Sequence, residues 1–153
     1  MSQELILTIG CQGSGKSTWA NKYIEQHPNV VYLSPDKLRA EFGKGVHDQD
    51  VNAKVFDAMK IRLTNALSLG KSVLLDATFI KKKWRTPNLK IGRQFGAKLI
   101  AHAFYANRDT LIKRVQSRAQ QGGLNVPIEV IDNYLNSLEP PTNTEFDEII
   151  NHR

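Results

Sequence analysis

Gly10-Cys11-Gln12-Gly13-Ser14-Gly15-Lys16-Ser17 is the stretch from which the rest of the chain can be read. It matches G-x-x-x-x-G-K-[ST] without a gap, between an apolar run, Glu4–Ile9, and a segment of helical spacing, Lys16–Gln26. A strand that enters a glycine-rich turn and leaves as a helix makes an anion cradle. The glycines let the backbone wrap a phosphate, and successive N–H groups point inward at the helix N-terminus. Lys16 then reaches the terminal phosphates and the Ser17 hydroxyl ligates Mg²⁺. Gly10, Cys11, Gln12, Gly13, Ser14, Gly15, Lys16, Ser17 and Thr18 are therefore the candidate nucleotide-binding residues, with ATP as donor. A thiol at a helix N-terminus invites a redox role for Cys11. The plainer account is a small side chain tolerated within the loop.

Outward from this loop, short apolar runs alternate with helical stretches. Strands are expected at Glu4–Ile9, Val30–Leu33, Ser72–Leu75, Lys98–Tyr105 and Phe146–Ile150. Between them lie helices: one from Ser34 as N-cap with Pro35 at the first position, then Asp48–Leu69 closed by Gly70. Lys82–Phe95 is less regular and reads as helical after Pro87; Arg108–Gln120 and Pro127–Leu138 complete the set. Continuous apolar strands interleaved with helices predict an α/β fold: a five-stranded parallel sheet with helices on both faces, in three layers. No repeat, linker or low-complexity segment divides residues 1–153, which read as a single domain.

The chain has 153 residues, 41% hydrophobic and 24% charged, with a formal net charge of +6. A basic balance favours a polyanionic partner, because Lys and Arg displace counterions from phosphates. No apolar run is long enough to span a bilayer, and the only cysteine has no internal partner. Both point to the cytoplasm. The four histidines show no ligand spacing, and nothing resembles a structural metal site.

Ile6–Ala20 resembles the opening of phage-type polynucleotide 5′-hydroxyl kinases, P-loop enzymes. The likeness continues at Asp36-x-x-Arg39, Asp76, Lys113-Arg114-x-x-x-Arg118, Val126-Pro127-Ile128 with Tyr134, and Leu138-Glu139-Pro140-Pro141-Thr142. It implies the P-loop kinase fold and transfer of the γ-phosphoryl group to a nucleic-acid hydroxyl, with Asp36 as general base. Arg39 and Asp76 would contact the acceptor, Arg114 would belong to the nucleotide site, and Arg118 would be the lid arginine that neutralises the transferring group. Asp36 by itself is equally an acid at a helix start, and Asp76 at a strand end is equally a Walker-B-like magnesium residue.

Residues 118–126 are polar and glycine-bearing, as a mobile lid should be. The family's pattern has an asparagine after the strand-end acid; this chain has Ala77-Thr78-Phe79. Thr78 and Phe79 become acceptor candidates, Phe79 by stacking on a base or simply as core. Lys81-Lys82-Lys83-Trp84-Arg85 suits a strand backbone plus a stacked base, with Arg85 a further acceptor candidate, or it is a solvated basic turn.

No guanine-specifying Asn-Lys-x-Asp follows a later strand, and the length leaves no room for a long AAA-type or motor architecture. No Asp-x-Asp-x-Thr is present, so 3′-phosphatase activity is not expected. The departure at Ala77–Phe79 leaves room for a hydroxymethylated base within DNA, or a nucleoside, sugar or antibiotic, as acceptor. A nucleotide-binding module without transfer is the reading from another class.

Overall fold

The computed structural model describes residues 3–42, 52–123 and 126–153. In chain order the elements are β1 (Glu4–Ile9), α1 (Lys16–Gln26), β2 (Val31–Leu33), α2 (Pro35–Phe42), α3 (Asn52–Ser68), β3 (Val73–Leu75), α4 (Lys82–Gln94), β4 (Lys98–Phe104), α5 (Arg108–Gln120), α6 (Ile128–Ser137) and β5 (Glu148–His152). The five strands pair in the order β2-β3-β1-β4-β5, every pair parallel. All five therefore end on the same edge, where sheets of this class present ligand-binding groups.

The alternation of side chains along β1 explains the layers. Leu5, Leu7 and Ile9 share a core with Val55, Met59 and Leu63 of α3 and Leu89 of α4. Ile6 turns the other way, onto Ala20 of α1, with Trp19, Tyr23 and Ile24 packed around it. A third, smaller cluster joins α5 and α6 through Leu111, Val115 and Ile131, and Cys11 is part of it. Gly92 shows how closely α4 lies on the sheet: a Cβ there would come within 2.7 Å of Leu99 and 2.8 Å of Leu5.

Two boundaries among the described residues differ from the sequence expectation by more than one residue. Helix α4 is continuous from Lys82 and carries Pro87 inside it. Proline removes one backbone N–H there, but Arg85, Asn88, Leu89 and Gly92 are buried along the same face and packing holds the helix together. Strand β5 starts two residues later than Phe146, because Phe146 is spent on the core and Asp147 accepts the Leu99 N–H at 2.8 Å. Helix α3 is observed from Asn52; Asp48–Val51 of the expected helix lie outside the described residues. At α2 the cap is as expected: the Lys37 N–H donates to Ser34 Oγ at 3.1 Å.

Candidate active site

The glycine-rich loop leaves β1 at the centre of the sheet. Gly13 (φ 82°) and Gly15 (φ 99°) adopt left-handed backbone that other residues enter only under strain. A Cβ on Gly13 would also meet the Leu111 carbonyl at 3.1 Å. The loop is pinned from two directions: the Gly10 N–H donates to Thr78 O at 2.9 Å, and Arg114 Nη1 donates to Gly13 O at 2.9 Å. Cys11 is buried in the apolar cluster of α5 and α6, and burial pushes its thiol up despite the nearby Lys16 charge and the Gln12 N–H. It is a packing residue.

Burial pulls the Lys16 ammonium below its ordinary pKa, while Asp76 and Asp36 oppose the shift and Arg118 reinforces it. Among the described residues no carboxylate lies within ion-pair distance of it. The Ser14 hydroxyl is likewise buried with no hydrogen-bond partner. A desolvated cation and an orphaned hydroxyl beside inward N–H groups suit a polyphosphate.

Asp76, at the end of β3, is 5% exposed. Thr8 Oγ1 donates toward its Oδ1 at 3.2 Å, Ser17 Oγ toward its Oδ2 at 3.5 Å, and the Tyr32 hydroxyl donates to Oδ2 in a short hydrogen bond. Burial and the Asp76 charge and hydrogen bond hold the Tyr32 phenol well above its ordinary pKa, so it stays a donor. The hydroxyl of Ser17 beside a carboxylate is an oxygen donor set that fits Mg²⁺. Sequence reasoning missed Thr8 and Tyr32; Thr8, a polar residue inside the apolar run of β1, was the available signal.

The neighbouring strand β2 delivers Asp36 into the first turn of α2. Its carboxylate is 73% exposed and accepts from Arg39 Nη1 at 2.8 Å, an i,i+3 pair. Its charge is felt by Lys16 and by Tyr32, and Lys16 also feels Asp76 and Arg118. Tyr134 of α6 stands in the fields of both Cys11 and Arg39, with burial the larger influence raising its pKa. Helix α6 packs on the loop through the cluster that holds Cys11.

Across the loop, where β4 and β5 end, an open cleft of about 490 Å³ is lined by Ser14, Tyr105, Asn107, Thr110, Arg114 and Arg153, among others. Arg153 lies over the Tyr105 ring at 5.0 Å. None of these except Ser14 and Arg114 is evident from motifs. His152 also lines this cleft and pairs with His102 (Nδ1 to Nε2, 2.8 Å), giving two histidines a structural setting that their spacing does not reveal.

Two expected acceptor residues are corrected. Arg85 is 0% exposed and its guanidinium is committed: it donates to both Glu145 carboxylate oxygens at 2.9 Å, and to the Phe79 and Glu139 carbonyls at 2.8 Å. It clamps the C-terminal segment and has no donor left for a strand backbone. Phe79 is 4% exposed and belongs to the main core, so it cannot stack on a base. Its φ of 45° is a strained turn that returns the chain from the site toward α4. Thr78 acts through its carbonyl, on Gly10. Arg114 and Arg118 both lie exposed on α5, and Leu124 and Asn125 of the expected lid lie outside the described residues.

Residues 5–141 match the family described as an AAA domain. A chain of the Pnkp1/Rnl/Hen1 RNA repair complex superimposes with a TM-score of 0.79 at 23% identity, over 90% of this chain and 44% of that one. Adenylate kinase isoenzyme 1 of Cyprinus carpio is 25% identical over 129 residues, 78% of this chain and 66% of that protein. Heterogeneous nuclear ribonucleoprotein U-like protein 2 of Homo sapiens is 24% identical over 139 residues, 84% of this chain and 18% of its own length. The chain thus spans less than two thirds of each of these three proteins. The architecture is the α/β P-loop kinase fold. No helix among the described residues is long and apolar enough to cross a membrane.

Proposed function

Because the chain belongs to the AAA domain family that residues 5–141 match, we propose that it transfers the γ-phosphoryl group of ATP to a hydroxyl of a nucleic acid, foremost the 5′-hydroxyl at a strand end. The observation that carries this reading is a desolvated Lys16 in the loop that feels the charge of a solvent-open Asp36, which the next strand but one delivers at the same sheet edge. The net charge of +6 and the similarity to a chain of an RNA repair complex support a polyanionic acceptor.

The loop N–H groups and Lys16 hold the β- and γ-phosphates, and the cleft beside Tyr105 and Asn107 takes the nucleoside. Ser17 and Asp76 are the residues that would hold Mg²⁺, which supplies neutralisation of phosphate charge when bound. Asp36, oriented by Arg39, accepts the acceptor hydroxyl's proton as that oxygen attacks the γ-phosphorus. The bond from the γ-phosphorus to the bridging oxygen breaks, and ADP leaves with the electron pair. Arg118, carried by α5, meets the charge on the transferring group.

The test offers γ-labelled ATP and Mg²⁺ against 5′-hydroxyl DNA, 5′-hydroxyl RNA, hydroxymethyluracil-containing DNA and free nucleosides. Label should appear at oligonucleotide 5′ ends, with a KM that rises with salt. Label on free nucleosides only, indifferent to salt, contradicts the nucleic-acid acceptor.

A further inference from the structure

The turn Lys81–Trp84 lies at the same carboxyl edge, because it follows β3 and opens α4. Lys81 is the N-cap, Lys82 and Lys83 fill the first turn, and no acid accompanies them there. Cations at the positive end of a helix repel its dipole. No carboxylate among the described residues pairs with any of the three. The next residue, Trp84, is an exposed aromatic at 43%. An unneutralised ammonium cluster beside an indole face is unfavourable in isolation and is what a single-stranded polyanion with stackable bases would complement.

The turn is also held still. Arg85 follows directly and is fully buried, tied to Glu145 and to the Phe79, Glu139 and Pro140 carbonyls. A preorganised surface loses less entropy on binding than a mobile lysine tail. On the sheet, β3 adjoins β2, the strand that delivers Asp36. The basic turn and the Asp36–Arg39 pair thus follow adjacent strands at one sheet edge, and Arg85 ties the turn to the segment that leads into β5.

From this we infer that Lys82, Lys83 and Trp84 form a track for the strand behind the acceptor nucleotide: the two ammonium groups meet backbone phosphates and the indole stacks on a base. The inference rests on the proposed reaction for its orientation, though the surface binds single strands whether or not transfer occurs. An acidic peptide would meet the lysines but gain little from the indole face.

Two measurements separate the track from the reaction. The first is transfer of label from ATP to a 5′-hydroxyl 12-mer and to a nucleoside 3′-phosphate, using wild type, the double variant Lys82→Glu/Lys83→Glu, and Trp84→Ala. KM for the 12-mer should rise about tenfold or more in the double variant and about fivefold or more in Trp84→Ala. The 12-mer salt slope should fall by about 1.4 in the double variant, at roughly 0.7 per phosphate contact. KM for the nucleoside 3′-phosphate and kcat should stay within twofold. Equal shifts for both acceptors, or none, overturn the track.

The second measurement is direct binding of a fluorescein-labelled 12-mer, an acidic peptide of matched charge and anionic vesicles. Weakened 12-mer binding in the variants, without transfer to any 5′ end in wild type, keeps the track and removes the proposed reaction. Unaltered 12-mer binding, or a loss seen only with the peptide or the vesicles, removes the track.

Discussion

Around Lys16 the backbone is pinned on opposite sides, by Thr78 O on Gly10 and by Arg114 on Gly13, whereas Asp36, 73% exposed, rests on an i,i+3 ion pair with Arg39. The two halves of one sheet edge are thus built differently. Where β1, β4 and β5 end, buried polar groups are fixed in advance of any ligand. Where β2 and β3 end, one acid, Asp76, is sequestered by Thr8, Ser17 and Tyr32, and the other faces solvent. On the proposed reaction, the contrast teaches that the half around Lys16 is preorganised for electrostatic stabilisation, while the half around Asp36 would receive a hydroxyl that brings its own surroundings.

The largest break in that contrast comes at the loop. Lys16→Ala should lower turnover by about 10³-fold or more and weaken ATP binding with it, read by labelled-phosphate transfer and equilibrium titration. Arg118→Ala should cost about 10³-fold in kcat with ATP affinity nearly unchanged, since its partner is charge that develops during transfer. A parallel loss of affinity would move Arg118 into the ground-state nucleotide site.

The clamp behind the acceptor half gives a stability effect. Arg85→Leu leaves Glu145 without its guanidinium partner and should cost about 3–5 kcal/mol in denaturant unfolding. Burial raises the Glu145 pKa, but the Arg85 and Thr142 hydrogen bonds outweigh it and hold the group below its ordinary 4.5. Its stabilisation is therefore present above pH 4.5 and is lost as pH falls through the lower folded value.

The smallest effect sits on the donor side. Burial first, then His152, pull the His102 pKa from 6.5 to about 4. The folded protein binds fewer protons than the unfolded chain in that window, so stability drops by about 1 kcal/mol per pH unit from 6.5 toward 4. His102→Phe should flatten this dependence in melting curves taken across the window.

The donor half was legible because its chemistry is local. Eight consecutive residues specify a loop, and the apolar run before it specifies the strand that centres it. The parallel sheet was legible from the alternation of apolar runs with helices, while the order of its strands was not. The acceptor half was less legible because burial depends on partners far away in sequence. Arg85 looks like one of five surface residues in Lys81–Arg85 until Glu145, sixty positions on, takes its guanidinium. Phe79 reads equally as a stacking ring or as core, and the core around Leu75 and Leu89 decides for the second. Tyr32 and the cleft beside Tyr105 and Asn107 were missed for the same reason: both arise where strand ends meet.

The central claim is a division of labour, with the loop holding the nucleotide and Asp36 taking the proton. Asp36→Asn tests it most directly, comparing ATP affinity by titration with the single-turnover rate of transfer to a 5′-hydroxyl oligonucleotide. The account predicts affinity within about twofold of wild type and a transfer rate lowered by about 10² or more. Transfer within threefold of wild type, or a loss of ATP binding as large as the loss of rate, would contradict it.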